Sequence, residues 1–283
     1  MMYNNTVNST GKAMWLVLPE WQGFGLSDLP ARGARELARH LFDGRDVVTI
    51  DVPDEEALSV DGGVLGLASL GPRLAETRTA IHARGPDRIL TIGATCGVEV
   101  APIAYLNQKY DGDLAVLWLD AHADLNTPAS SPSGHFHGMV LRTLLGDGPA
   151  ALVQQIPRPL TPGQIYLVGA RDLDPPEADF IRGAGIRTAG LEAFGDPVQF
   201  ARDVRQAGFG RIYLHLDLDV VNPEDFASSL MRTPGGPSLD DVAALVCQLT
   251  EQCDIAGASV VEFCERHHED ANRVAEAVSK VFR

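Results

Sequence analysis

The sequence predicts an α/β fold, a single three-layer domain in which a mostly parallel sheet of about eight strands lies between helices. Three observations carry this. Eight short apolar, β-branched runs recur along the chain, at residues 14–18, 46–52, 88–92, 115–120, 164–168, 185–188, 211–217 and 258–263. Most are apolar throughout rather than alternating, as strands covered on both faces must be. Amphipathic stretches stand between them, and a strand–helix–strand rhythm implies parallel pairing with right-handed crossovers.

Taken in order, residues 1–13 precede the first run and are expected to be poorly ordered, with the domain itself spanning 14–283. The run at 14–18 is followed by ARGARELARHLF at 31–42, an amphipathic helix. A second helix is expected at 71–84, before the run at 88–92. The runs at 115–120 and 211–217 both end in aspartate. A third helix is expected at 238–252, where Ser238 ahead of Asp240 and Asp241 provides helix-start chemistry. The chain shows no linker, repeat or low-complexity tract, so one domain is expected. A closed eight-stranded barrel remains open, since counting strands does not separate it from an open sheet.

Composition narrows the function. With 283 residues, 45% of them hydrophobic, the chain can build a core without disulfides or a structural metal. The formal charge of −15 disfavours nucleic acid and anionic membranes and favours a cationic substrate. The cysteines are Cys96, Cys247, Cys253 and Cys264; none forms a CxxC pair, which reads as a reducing, cytoplasmic setting. The first residues lack a basic-then-apolar signal, so the triplets at Asn4 and Asn8 are not read as glycosylation sites. No apolar run approaches the roughly 18 to 20 residues that span a bilayer.

In open parallel sheets ligands bind beyond the carboxyl ends of the strands, and there the polar residues gather. One run leads into Asp120-Ala121-His122-Ala123-Asp124, another into Asp217-Leu218-Asp219. A lone Asp-Leu-Asp usually means helix caps or turn acids. Two acid-rich strand ends on one sheet edge repel unless cations neutralise them. Carboxylates with one imidazole form a hard oxygen–nitrogen donor set, better suited to manganese than to structural zinc.

These two segments resemble the metal-binding signatures of the ureohydrolases, the family of arginase and agmatinase. The resemblance runs from about Ile89 to Glu262. It includes the glycine-rich turn Gly93-Ala94-Thr95-Cys96-Gly97, the segment Thr233-Pro234-Gly235-Gly236 and the strand-end Glu262. It implies an arginase-like fold and two Mn(2+) per chain. One ion would be held by Cys96, Asp120, Asp124 and Asp217, the other by Asp120, His122, Asp217 and Asp219. It further implies that Glu262 binds a guanidinium, with Thr233 near the substrate, that Asp124 moves a proton to the leaving amine, and that His137 shuttles protons.

Within the family, the stretch from Asp124 through Asn126 to Ser133 and His137 is similar to that of arginase itself, as is Gly169 to Glu177. Asn126 and Ser133 are thereby expected to take an α-carboxylate, and Asp174 with Glu177 an α-amino group, of a small guanidino amino acid. The family's first histidine ligand is Cys96 here, and the aspartate before it is Thr95. Cysteine at that place resembles the N-ω-hydroxy-L-arginine amidinohydrolases of D-cycloserine biosynthesis, which release hydroxyurea. The resemblance thus implies hydrolysis of hydroxyarginine to ornithine and hydroxyurea, with ordinary arginase chemistry as the alternative, and a homo-oligomer. A single-zinc deacetylase-like amide hydrolase and a non-catalytic guanidine binder also stay open. His215, His267 and His268 are read as structural or solvated.

Overall fold

The computed structural model describes residues 11–267 and 269–282. Residues 1–10, with Asn4 and Asn8, and His268 lie outside the described residues, and Ala13 opens the first strand. The strands are β1 (Ala13–Leu18), β2 (Val47–Thr49), β3 (Val60–Asp61), β4 (Val64–Leu65), β5 (Arg88–Gly93), β6 (Ala115–Leu119), β7 (Ile165–Val168), β8 (Arg187–Ala189), β9 (Ile212–Asp217) and β10 (Ile255–Val261). All but β3 and β4 form one eight-stranded sheet in the order β2-β1-β5-β10-β9-β6-β7-β8. Every pairing in it is parallel. The sheet is open, with β2 and β8 at its edges, so the barrel alternative is set aside.

Burial follows position in the sheet. All residues of the central strands β6, β9 and β10 are buried, as apolar runs covered on two faces require. The edge strands are only partly covered. The helices flanking the sheet include Leu29–Leu41, Leu67–Arg84, Leu239–Gln252 and Asp270–Phe282. Ser238 caps the third, its side chain accepting from the Asp241 amide. The small antiparallel pair β3–β4 was not foreseen from sequence. Its turn is Gly62-Gly63, at φ 55° and 83°, the double positive φ that a tight hairpin turn needs.

Gly257 of β10 pairs with Tyr213 of β9, and a Cβ there would lie 2.4 Å from the tyrosine ring. The missing side chain leaves room for that ring in the core.

β5, β10, β9 and β6 are four consecutive strands at the centre of the sheet. Because they run parallel, their carboxyl ends share one edge, and all the acid-rich segments leave the sheet there.

Candidate metal centre

The segment after β5 turns at once into the short helical turn Cys96–Glu99. That brings the Cys96 thiol to 3.0 Å from Asp217 Oδ2 and 3.6 Å from Glu262 Oε1. β9 ends on Asp217 itself, and the turn Leu218–Val220 folds Asp219 back so that its amide donates to Asp217 Oδ1 at 2.8 Å. From β6, the amide of His122 donates to Asp120 Oδ1 at 2.6 Å and that of Ala121 to Asp219 Oδ1 at 3.0 Å. Trp118 Nε1 donates to Asp120 Oδ2 at 3.0 Å. Glu262 leaves the end of β10 almost fully buried. Backbone amides thus hold Asp217 and Asp219 by Oδ1 alone, whereas both Asp120 oxygens accept a hydrogen bond.

Three groups of donor atoms result, each with its members within 4.8 Å of one another: Cys96, Asp120, His215 and Asp217; Asp120, His122 and Asp219; Asp217, Asp219 and Glu262. Asp120 is shared by the first two groups and Asp217 by the first and third. His122 Nδ1 lies 2.9 Å from Asp219 Oδ2 and 3.4 Å from Asp120 Oδ1. Asp124 falls in none of these groups. It lines the same cavity, buried, with Oδ2 lacking a hydrogen-bond partner. Among the described residues only Asp111, Asp124 and Glu262 are non-glycines at positive φ. Two of the three stand in this site, and such strain persists where surrounding structure enforces it.

The electrostatics are those of crowded anions. Burial first, then neighbouring carboxylates, raise Asp217 and Asp124 well above the usual carboxylate range, and Asp219 to about 7. Burial and the charges of Asp124, Asp217, Glu262 and Asp120 likewise push the Cys96 thiol up. Asp120 is the exception: burial opposes its charge, but His122 and His215 outweigh that and hold it far below normal. Buried carboxylates that repel one another are stabilised by cations. The donor set, oxygens with one imidazole on one side and a thiol added on the other, fits divalent metal ions.

A cavity of about 210 Å³ opens above these groups. Asn126, Ser133, His137, Asp174 and Glu177 line it, as does Glu262. His137 Nδ1 lies 2.8 Å from Glu262 Oε1, and that carboxylate raises the imidazole's pKa against the lowering effect of burial. Asn126 Nδ2 donates to Asp174 Oδ2 at 2.8 Å. Both Glu177 oxygens are occupied by backbone amides, of Leu125 at 2.9 Å and Asp174 at 3.0 Å. Glu177 thus ties the Asp174 loop to the strand-end segment. Thr233 is not brought to the cavity. Arg171 holds its carbonyl at 2.6 Å and that of Pro234 at 3.0 Å, and Met231 of the same segment lines the cavity instead.

Three buried groups nearby, Glu20, Glu99 and Tyr213, were not singled out on sequence, and a fourth, His215, was read as structural. Glu20 accepts from the Gly23 amide at 2.7 Å, and burial raises its pKa from 4.5 to about 7. Glu99, Tyr213 and His215 are fully buried, and His215 belongs to the first donor group. Their signal was present: His215 is two residues before Asp217 on one strand, hence on the same face, and Glu99 is three residues after Cys96.

Residues 31–283 match the arginase family model. The chain is 33% identical to the arginase of Staphylococcus aureus (strain COL) over 158 residues, 53% of this chain and 51% of that protein. That match spans about half the length of the staphylococcal relative. With the arginase of Bacillus caldovelox it is 29% identical over 243 residues, 80% of this chain and 79% of that one. In fold it is similar to the Entamoeba histolytica arginase solved with L-ornithine, at a TM-score of 0.86 and 23% identity over 96% of this chain and 98% of that chain.

Proposed function

The chain belongs to the arginase family, and from that premise we propose that it is a metal-dependent hydrolase that cuts the guanidino group from an arginine-type amino acid, releasing ornithine. The observation that carries the proposal is the convergence of four adjacent strand ends. β5, β6, β9 and β10 deliver Cys96, Asp120 with His122, Asp217 with Asp219, and Glu262 into overlapping donor groups. Donors shared between groups favour two neighbouring ions over the single zinc of a deacetylase-like enzyme.

Cys96, Asp120, His122, Asp124, Asp217 and Asp219 are the residues proposed to hold the pair, for which manganese is the expected ion on the oxygen-rich side. When bound, two divalent ions supply Lewis acidity and lower the pKa of a shared water towards neutrality. The chain's own groups do the rest. Glu262 pairs with the guanidinium and orients its planar carbon. The unpartnered Oδ2 of Asp124 takes a proton and returns it to the departing amine, and His137, held by Glu262, exchanges protons with solvent. Asn126 and Ser133 take the α-carboxylate. Asp174 takes the α-ammonium, with Glu177 holding its loop in place. Product chemistry of this class is supported by the ornithine bound to the Entamoeba arginase of the same fold.

Cys96 favours a narrower substrate. A thiolate donates more charge than an imidazole and weakens the Lewis acidity beside it. A guanidine whose pKa is lowered by an N-hydroxyl is the easier substrate for such a site, giving hydroxyurea in place of urea. The four cysteines are all free thiols, which supports a reducing compartment, the cytoplasm, and the family resemblance supports a homo-oligomer. No described helix is long and apolar enough to cross a membrane.

The test is product analysis with arginine, N-ω-hydroxy-L-arginine and agmatine. Ornithine should appear from the two amino acids, faster from hydroxyarginine. Cleavage of agmatine as fast as arginine would remove the amino-acid clamp from the account.

A further inference from the structure

The β3–β4 hairpin lies outside the main sheet and has no part in the proposed chemistry, yet it stands against a wall of the substrate cavity. Its inner side belongs to the body of the domain. Val64 is fully buried in the core, and Gly66 alone separates β4 from the helix Leu67–Arg84. The Gly66 amide closes the base of the hairpin on the Ser59 carbonyl at 2.9 Å.

The outer side meets residues 127–134, the loop from which Ser131, Pro132 and Ser133 line the cavity. The Leu65 amide donates to the Gly134 carbonyl at 2.9 Å. A Cβ on Gly63 would lie 3.0 Å from the Pro128 carbonyl oxygen, and one on Gly134 would lie 3.1 Å from that of Gly63. Both glycines have positive φ, 83° and 72°. The two backbones thus pass so closely that a side-chain carbon on either has less than van der Waals room.

The loop depends on such outside support. Its own hydrogen bonds are short-range: Ser130 Oγ accepts from the Thr127 amide and donates to Asn126 Oδ1, both at 2.8 Å. Ser131 Oγ accepts from the Gly134 amide at 3.0 Å. These bonds fold the loop upon itself without fixing where it stands on the domain. Asn126 ties down its start, the amide donating to the Gly138 carbonyl at 3.1 Å and Nδ2 to Asp174. The bond from Leu65 ties down its far end, one residue beyond Ser133.

We propose that the β3–β4 hairpin positions this loop for the substrate's α-carboxylate, with Gly63, Leu65 and Gly134 as positioning residues. The inference rests on the reading of Asn126 and Ser133 as the carboxylate clamp. Cys96, Asp120, Asp217 and Glu262 are placed by the ends of β5, β6, β9 and β10. The hairpin therefore acts on recognition of the head group and leaves the reacting end of the substrate unchanged.

Gly62 and Gly63 provide a matched pair for the test. Both have positive φ in one turn, a conformation that asparagine tolerates. A Cβ at Gly62 meets nothing within 4 Å, whereas one at Gly63 meets Pro128. The manganese-loaded full chain is titrated calorimetrically with ornithine and with putrescine, the same diamine without the carboxylate, and is turned over with arginine. Wild type should bind ornithine the more tightly. Gly63→Asn pushes the loop back by a few tenths of an ångström. At about 100-fold per ångström of misplacement, ornithine affinity should fall, and the KM of arginine rise, about 3- to 10-fold. Putrescine affinity and kcat should hold, the pattern of lost ground-state binding, and Gly62→Asn should match wild type throughout. Equal behaviour of the two variants, or an equal loss of ornithine and putrescine affinity in Gly63→Asn, would overturn the proposal and leave the clamp standing. Wild type that binds neither diamine, or both equally, would end the clamp reading and the proposal with it. Circular dichroism identifies a variant that fails to fold; Gly134→Asn then loads the same contact from the loop side, with the same expectation.

Discussion

Replacing Asp174 by asparagine isolates the charge of the proposed α-ammonium clamp. Asp174 is half-buried at the N-cap of the helix Pro175–Ala184 and lines the cavity. Alanine there would also remove a cap, at about 1 kcal/mol, and the acceptor of the 2.8 Å bond from Asn126. Asparagine can replace the aspartate in both roles and removes only the negative charge. A hydrogen bond to a charged group contributes about 1.5–3 kcal/mol, or roughly 10- to 150-fold. Solvent reaches this side chain, so the lower part of that range applies, about 10- to 30-fold in KM with kcat little changed. The assay compares arginine with its analogue lacking the α-amino group, in wild type and variant. Only arginine should lose. An equal loss on both substrates, or none on either, would refute the assignment.

Three other substitutions probe the remaining roles. Asp124→Asn should lower kcat about 10²- to 10⁴-fold with KM nearly unchanged, the range of a lost proton-transfer group; a rate within a few-fold of wild type would remove Asp124 from the chemistry. Cys96→His should bind manganese more tightly and shift kcat/KM from hydroxyarginine towards arginine; an unchanged ratio would place the preference in the loop around His135 and Phe136. Glu20→Gln should stabilise the protein in a pH-dependent way. The Glu20 carboxyl is raised by burial from 4.5 to about 7, so its ionisation opposes folding: the penalty is absent below pH 4.5, grows as pH rises and is complete above 7. At about 1.4 kcal/mol per unit the variant should gain roughly 3 kcal/mol at pH 8 and nearly nothing at pH 4. Urea unfolding at the two pH values measures this, and an equal difference at both would contradict it.

The sheet was legible because each buried strand needs its own continuous apolar run, and all eight runs became strands. Helix ends were less so: the helix expected from residue 71 begins at Leu67, and the Gly62-Gly63 hairpin lay in a stretch without apolar alternation to announce it. The acids at the ends of β6 and β9 were readable because charge after an apolar run has few structural uses. Thr233 does not line the cavity, and the contact that fixes its segment, Arg171 on its carbonyl, comes from 62 residues away in sequence. Glu99 escaped notice, and His215 was read as structural, for a related reason. Each looks like an isolated polar residue in an apolar run, and only the packing of β5 beside β10 and β9 brings a carboxylate, an imidazole and a thiol together.

The most direct test of the two-metal account is a titration of the metal-free chain with divalent ion, following hydrolysis of the guanidino amino acid against ions bound per chain. Activity should rise to a break at two ions per chain and vanish with a chelator. Full activity at one ion per chain would contradict the shared roles given to Asp120 and Asp217, and with them the mechanism.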